Sequence, residues 1–329
     1  MKAPRTIFSG VLAVGLCAAG GCGETVPDAL AGRPPGGPYR MTLTLNPTKP
    51  VAGQPTLLHW RLTQRNDGRP VTDLQVLHER LMHNFIVARD FSSFAHIHHE
   101  DFAAVTPADR EAASLQLPYR FPHGGRYRIV SEFTHRDRSW VKHFDVAVEG
   151  EPGPAPRVSQ ESGASGFAAR LRASPSQPVA GFETELVLDL ARDNQAVSNL
   201  ALHLGSELHV ALWREDGRYF GHTHSYTPHM AAMLAAMHDR AAEPAERAKR
   251  QAAMMIEMMR APAELTYRGP RVPVRYVFPE PGRYHLFFEC APGGEAVVFH
   301  FALDVVTHRA GLDTSIQSIV PVQNHRHAP

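Results

Sequence analysis

The sequence predicts an all-β protein of two tandem β-sandwiches, the second carrying a Met-rich helical hairpin insertion. Two observations support this prediction. Short apolar or alternating runs are separated by turn residues throughout the chain, and the second half repeats the first. The chain has 329 residues, 43% hydrophobic and 20% charged, which suits about two globular domains. A formal net charge of +1 gives no reason to expect a nucleic-acid partner.

The N-terminus resembles a bacterial export signal over residues 1–22. Lys2 and Arg5 precede an apolar run, 7–19, that is too short to be a transmembrane helix. The run ends in Ala-Gly-Gly-Cys, which resembles a lipobox and makes Cys22 the expected lipidation site. The alternative is an ordinary secretory signal that is cleaved nearby.

The residues after Cys22 predict where the lipid anchor places the protein. Gly23 follows rather than Asp, and by resemblance to Gram-negative sorting rules this implies the bacterial cell envelope, on the periplasmic face of the outer membrane. Residues 23–38 are rich in Gly and Pro and predict a flexible tether. No later apolar run approaches membrane-spanning length, so the expected membrane contact is the N-terminal lipid anchor.

The first domain is predicted over residues 39–149. Seven runs with strand-like patterns lie in about 110 residues, which favours a β-sandwich of the immunoglobulin type. These runs cover residues 41–45, 55–62, 83–88, 94–98, 115–119, 126–133 and 140–148.

A linker is predicted at 150–165, a second domain at 166–307, and a polar tail at 308–329. The segment Pro-x-x-Pro-Val-Ala-Gly at 47–53 recurs at 175–181. Residues 83–98 recur at 209–224, an offset of 126, and Phe-Pro-x-x-Gly-Arg-Tyr recurs at an offset of 157. The last segment ends in a tyrosine, Tyr127 in the first domain and Tyr284 in the second, which follows a Gly turn at the start of a late strand. This placement resembles the tyrosine corner of immunoglobulin-like sandwiches.

The offsets of 126 and 157 differ because the second domain contains 31 extra residues between the two segments. They fall within about 227–262, which predicts a helix, a turn and a helix rich in methionine. Met230, Met233 and Met237 share one helical face and are candidate thioether ligands for Cu(I). The same spacing is also typical of methionines that fill a core.

Three histidines of the second domain are predicted to converge. Asp216-Gly217 between two apolar runs predicts a two-residue type I′ hairpin turn. In that register His209 lies opposite His224, and Ala211 lies opposite His222. Side chains at i and i+2 share a face, so the three imidazoles come together on one side of the hairpin.

The first domain carries the same three histidines at an offset of 126, as His83, His96 and His98. Three imidazoles on one face are typical of a transition-metal site, although exposed histidines could also sit there without a ligand. Copper is the expected ion and zinc the alternative. His143 and His300 are related by the offset of 157 and are candidates for a fourth ligand or a supporting partner.

The chain also resembles a family. Gly68-Arg-Pro-Val71, Leu81-Met-His83-Asn-Phe-Ile-Val and Phe94-Ala-His96-Ile-His98 are similar to motifs of the YtkA-like and FixH-like bacterial envelope modules. The resemblance implies small immunoglobulin-like sandwiches encoded near copper handling or cytochrome oxidase assembly. It covers most of the first domain and the corresponding part of the second, but not the insertion.

We therefore expect a lipid-anchored protein that stores, buffers or delivers copper and is not an enzyme, with another envelope or copper-handling protein as its partner. Two alternatives remain. Tandem sandwiches can act as a scaffold for another envelope protein without metal. The His-x-His pairs and Pro281-Gly-Arg-Tyr-His285 also resemble cupin motifs, which would imply a bicupin metalloenzyme. Cys290 matches Phe133 in the repeat and is expected to be an inert buried residue.

Overall fold

The computed structural model describes residues 25–26, 37–156, 161–225 and 265–307. The predicted export signal, the lipidation site Cys22, most of the tether, the helical insertion with its methionines, and the tail lie outside the described residues. Within the described part of the chain, no helix is long and apolar enough to cross a membrane.

The first half of the chain forms two four-stranded antiparallel sheets, with strand orders β1-β2-β3-β6 and β5-β4-β7-β8. All seven predicted strands are present. A short helix, α1 (Pro107–Ala112), and a 3-10 turn (His99–Asp101) precede β6. The strands are β1 (Thr25–Val26), β2 (Tyr39–Asn46), β3 (Pro55–Gln64), β4 (Met82–Ala88), β5 (Phe94–Ile97), β6 (Ser114–Arg120), β7 (Gly125–His135) and β8 (Arg138–Val148).

The second half forms two five-stranded sheets. One has the order β12-β11-β10-β9 with β16 on β11, and the other has β13-β17-β14-β15 with β18 on β17. Strand β9 lies inside the segment predicted as linker. The strands are β9 (Glu161–Ala164), β10 (Phe167–Ser174), β11 (Glu183–Arg192), β12 (Gln195–Ala196), β13 (Leu200–Ala201), β14 (His209–Arg214), β15 (Phe220–His224), β16 (Arg271–Val277), β17 (Gly282–Pro292) and β18 (Val297–Val305).

Each half has its own hydrophobic core between its two sheets. In the first, Trp60 of β3 packs in one cluster with Ile129 of β7 and Phe144 of β8. In the second, Leu188 of β11 belongs to the same cluster as Phe288 of β17. The alternating pattern of these strands directs one set of side chains into the core, as expected for two sheets packed face to face.

A third cluster joins the two domains. It contains Phe85 and Val130 of the first domain together with Trp213, Phe220 and Phe287 of the second. These residues lie on the sheet faces that point away from each domain's own core. Consequently every residue of β4 is buried, which explains why β4 reads as an almost continuous apolar run instead of an alternating one.

The predicted hairpin register is correct in both domains. His209 pairs with His224 and Ala211 with His222, and the same register pairs Phe85 with His96. The predicted turn type is wrong. A type I′ turn needs positive φ at both central residues, but in the pair Asp216-Gly217 only Gly217 has it, at 69°. The Gly217 N–H donates to the Arg214 carbonyl, 2.7 Å away, so the tight turn spans Arg214 to Gly217.

Both repeated tyrosines make the hydrogen bond of a tyrosine corner. The Tyr127 hydroxyl donates to the His123 carbonyl at 2.9 Å, and the Tyr284 hydroxyl donates to the Glu280 carbonyl at 2.8 Å. Each tyrosine is fully buried and lies near the start of the strand that pairs with the first strand of the histidine hairpin. The two domains therefore share the same tyrosine corner beside the histidine hairpin.

Candidate metal centre

The first predicted triad comes together in the structure. The ring nitrogens His83 Nδ1, His96 Nε2 and His98 Nε2 form a triangle with sides of 3.0, 3.1 and 3.1 Å. In a tetrahedral site with metal–nitrogen bonds of about 2.0–2.1 Å, the ligand nitrogens are about 3.3 Å apart. The triangle thus has nearly the size that one bound ion requires.

The outer ring nitrogen of each histidine fixes its tautomer. His83 Nε2 donates to the Leu77 carbonyl at 3.0 Å, and His98 Nδ1 donates to Asp101 at 2.9 Å. His96 Nδ1 donates to Glu289 at 2.8 Å. A neutral imidazole carries one N–H, so the three nitrogens of the triangle hold lone pairs. Three lone pairs directed at one another repel, and a cation between them converts this repulsion into three bonds.

The second triad repeats the arrangement. Ligand atoms of His209, His222 and His224 lie within 4.8 Å of one another. His209 Nε2 donates to the His203 carbonyl at 2.8 Å, and His222 Nδ1 donates to Glu132 at 2.9 Å. Among the described residues, the remaining nitrogens of His209 and His222 are buried and have no hydrogen-bond partner. They are therefore available to a metal ion.

Sequence reasoning missed the two carboxylates that support the triads. Glu289 of the second domain accepts from His96 of the first, and Glu132 of the first accepts from His222 of the second. Both glutamates are almost fully buried. They are related by the offset of 157 that also relates the two corner tyrosines, so the repeat contained the signal that could have identified them.

Burial favours the neutral form of four histidines in the two triads. It lowers the pKa of His83, His96, His209 and His224 well below the usual value of 6.5, and the neighbouring imidazoles lower it further. A charged imidazolium cannot bind a metal, whereas a neutral imidazole can. At neutral pH these four histidines are thus in the form that a metal ion needs.

Another histidine, His78, was also missed. Its ring lies 3.9 Å from that of His224 and 5.7 Å from that of His209, although it belongs to the first domain. Burial lowers its pKa to about 3. What brings His78 near the second triad is the packing of the domains.

The other predicted candidates lie outside the triads. His300 Nε2 is 3.0 Å from His285 Nδ1, and the ring of His143 lies 6.3 Å from that of Phe220. The His285 ring stacks on that of Phe91, with the ring centroids 3.7 Å apart. Cys290 is buried in the core of the second domain, and burial raises the pKa of its thiol to about 12.

Comparison with known proteins assigns the chain to a family. A family model described as a domain of unknown function (DUF8832) matches residues 36–150 and again 164–307. The chain belongs to this family. It therefore contains two copies of the domain, each with one histidine triad. A comparison with curated proteins finds no match.

Solved structures with some similarity are all distant. Latent PorU from Porphyromonas gingivalis is 12% identical (TM-score 0.21), with 82% of this chain and 20% of PorU covered. The Escherichia coli adhesin FdeC is 8% identical (TM-score 0.24; 82% and 65% covered). The fibronectin(III)-like modules of Clostridium thermocellum CbhA are 9% identical (TM-score 0.18; 80% and 94% covered). The chain thus spans a fifth of PorU and under two thirds of FdeC.

Proposed function

We propose that this protein binds transition-metal ions, most favourably copper, at its two histidine triads and stores, buffers or delivers them. Imidazole nitrogen is a good ligand for both copper and zinc, and zinc is the alternative ion. The observation that carries the proposal is the triangle of three lone pairs in the first domain, each fixed by an acceptor on the opposite ring nitrogen.

The proposed location is the bacterial cell envelope. Lipidation at Cys22 would hold the two domains on the periplasmic face of the outer membrane, and the proposed partner is another envelope or copper-handling protein. The similarity of the histidine motifs to YtkA-like and FixH-like modules supports a role in copper handling and an immunoglobulin-like form for each sandwich. Met230, Met233 and Met237 would supply thioether ligands for Cu(I), since the insertion directly follows the second triad in the sequence.

The proposal is tested by metal binding to the soluble protein, residues 23–329. We expect two copper ions per chain after dialysis against Cu(II), measured by elemental analysis and native mass spectrometry. Changing His209, His222 and His224 to Ala should reduce this to one ion, and changing His83, His96 and His98 as well should abolish tight binding.

A matched control changes His59 and His123, which lie outside both triads, and should leave two ions bound. Parallel titrations with Zn(II) and reduced Cu(I) identify the preferred ion. If the wild-type protein binds no metal above the level of the six-histidine variant, the metal function is wrong, and a scaffold for another envelope protein becomes the leading alternative.

A further inference from the structure

The two triads adjoin each other across the domain interface. The ring of His222 lies 5.7 Å from that of His96 and 5.7 Å from that of His83. His96 is also 5.7 Å from His209. Ring centroids at these distances belong to side chains that pack next to each other, so ions held by the two triads would lie in one buried region.

Each domain also orients a ligand of the other domain's triad. Glu132 pairs in register with His83, and Glu289 pairs with His209. Yet each carboxylate bonds to the histidine of the opposite domain, Glu132 to His222 and Glu289 to His96. This exchange is symmetric under the repeat. Each triad therefore receives one supporting carboxylate from the other domain.

The two halves differ in one respect. The ring of His78, a residue of the first domain, lies against that of His224 in the second triad. The Nε2 atom of His78 is buried and has no hydrogen-bond partner among the described residues. The repeat places Leu204 at the equivalent position. The His78 ring lies 3.9 Å from that of His224 and 6.3 Å from that of His83, so it is closer to the second triad, and ions in the two triads would have different surroundings.

We propose that the two triads form one dinuclear metal centre, in which each domain positions a histidine ligand of the other domain's ion through Glu132 or Glu289. This inference rests on the proposed metal binding. It adds that the two ions interact and that their binding is coupled to the docking of the domains.

Electron paramagnetic resonance of Cu(II) tests the proximity of the ions in the soluble protein. One equivalent should give the signal of an isolated Cu(II) ion. Two equivalents should give dipolar broadening and a double-integrated intensity below that of two isolated ions. The variant that lacks His209, His222 and His224 should keep a narrow, single-ion signal.

The outcomes are distinguishable. Two bound ions whose spectra simply add would overturn the dinuclear centre while leaving the proposed function intact. Failure to bind either copper or zinc overturns both.

A second experiment tests the exchanged carboxylates as positioning residues. In the variant that retains only the second triad, Glu132→Gln should weaken Cu(II) binding about 10-fold or more, because a group that hydrogen-bonds to a metal ligand typically contributes about 10–100-fold to metal affinity. In the variant that retains only the first triad, the same change should alter affinity less than about two-fold, well below that range. Glu289→Gln should show the reverse preference for the first triad. Equal effects on both triads, or none on either, would contradict the assignment.

Discussion

At the scale of single residues, each triad has one histidine that donates to a buried carboxylate of the other domain. His222 donates to Glu132, and His96 donates to Glu289. The spacing of the histidines predicted their shared face, and the offset of 157 relates the two glutamates, but the sequence does not show which histidine each glutamate contacts. Which ring nitrogen carries the hydrogen depends on these acceptors, and they become visible only once the two domains are packed together.

The buried imidazoles predict how stability depends on pH in the metal-free protein. The pKa values of His83, His96, His209 and His224 are well below the 6.5 of an unfolded chain. Below that value the unfolded chain binds more protons than the folded one, so the free energy of unfolding falls as pH falls. Each such histidine contributes up to about 1.4 kcal/mol per pH unit.

Urea unfolding at pH 7.5, 6.5 and 5.5 measures this dependence. We expect a steep loss of stability over that range for the wild type, and a shallower loss for the variant with all six triad histidines changed to Ala. Equal slopes for the two proteins would show that the triad histidines are not held neutral in the folded state.

At the scale of elements, β-strand pattern predicted all seven strands of the first domain and the register of both hairpins. The turn was predicted wrongly because the pair Asp-Gly permits more than one turn type, and only local hydrogen bonding decides between them. The full burial of β4 was also hidden from the sequence. Its apolar run indicated a buried strand, but not that its second face packs on another domain.

Phe85 on that second face provides a test. It packs in the interdomain cluster rather than in the core of its own domain, and it is 1% exposed. Phe85→Ala should cost about 3–5 kcal/mol. Because this substitution weakens packing between the two domains, thermal unfolding should change from one transition toward two. Ile86→Ala, which faces the core of the first domain, should destabilise without separating the transitions. A single unchanged transition for Phe85→Ala would contradict a tightly packed interface.

At the scale of the whole molecule, the duplication explains why the two histidine triads lie next to each other at the domain interface. Each copy carries three imidazoles and one carboxylate on the sheet face that points away from its own core. Two copies packed through those faces bury both sets and exchange the carboxylates. Membership of the family accounts for each domain, whereas the pairing of the two triads follows from how the two copies contact each other. The sequence repeat predicted the two copies but not their contact.

The most direct test of the metal centre is a crystal structure of residues 23–329 loaded with copper, with anomalous diffraction measured on both sides of the copper absorption edge. The account predicts two anomalous peaks, one within bonding distance of His83, His96 and His98 and one within bonding distance of His209, His222 and His224. Empty triads in crystals whose protein had been saturated with copper, or copper bound only at surface histidines, would contradict it.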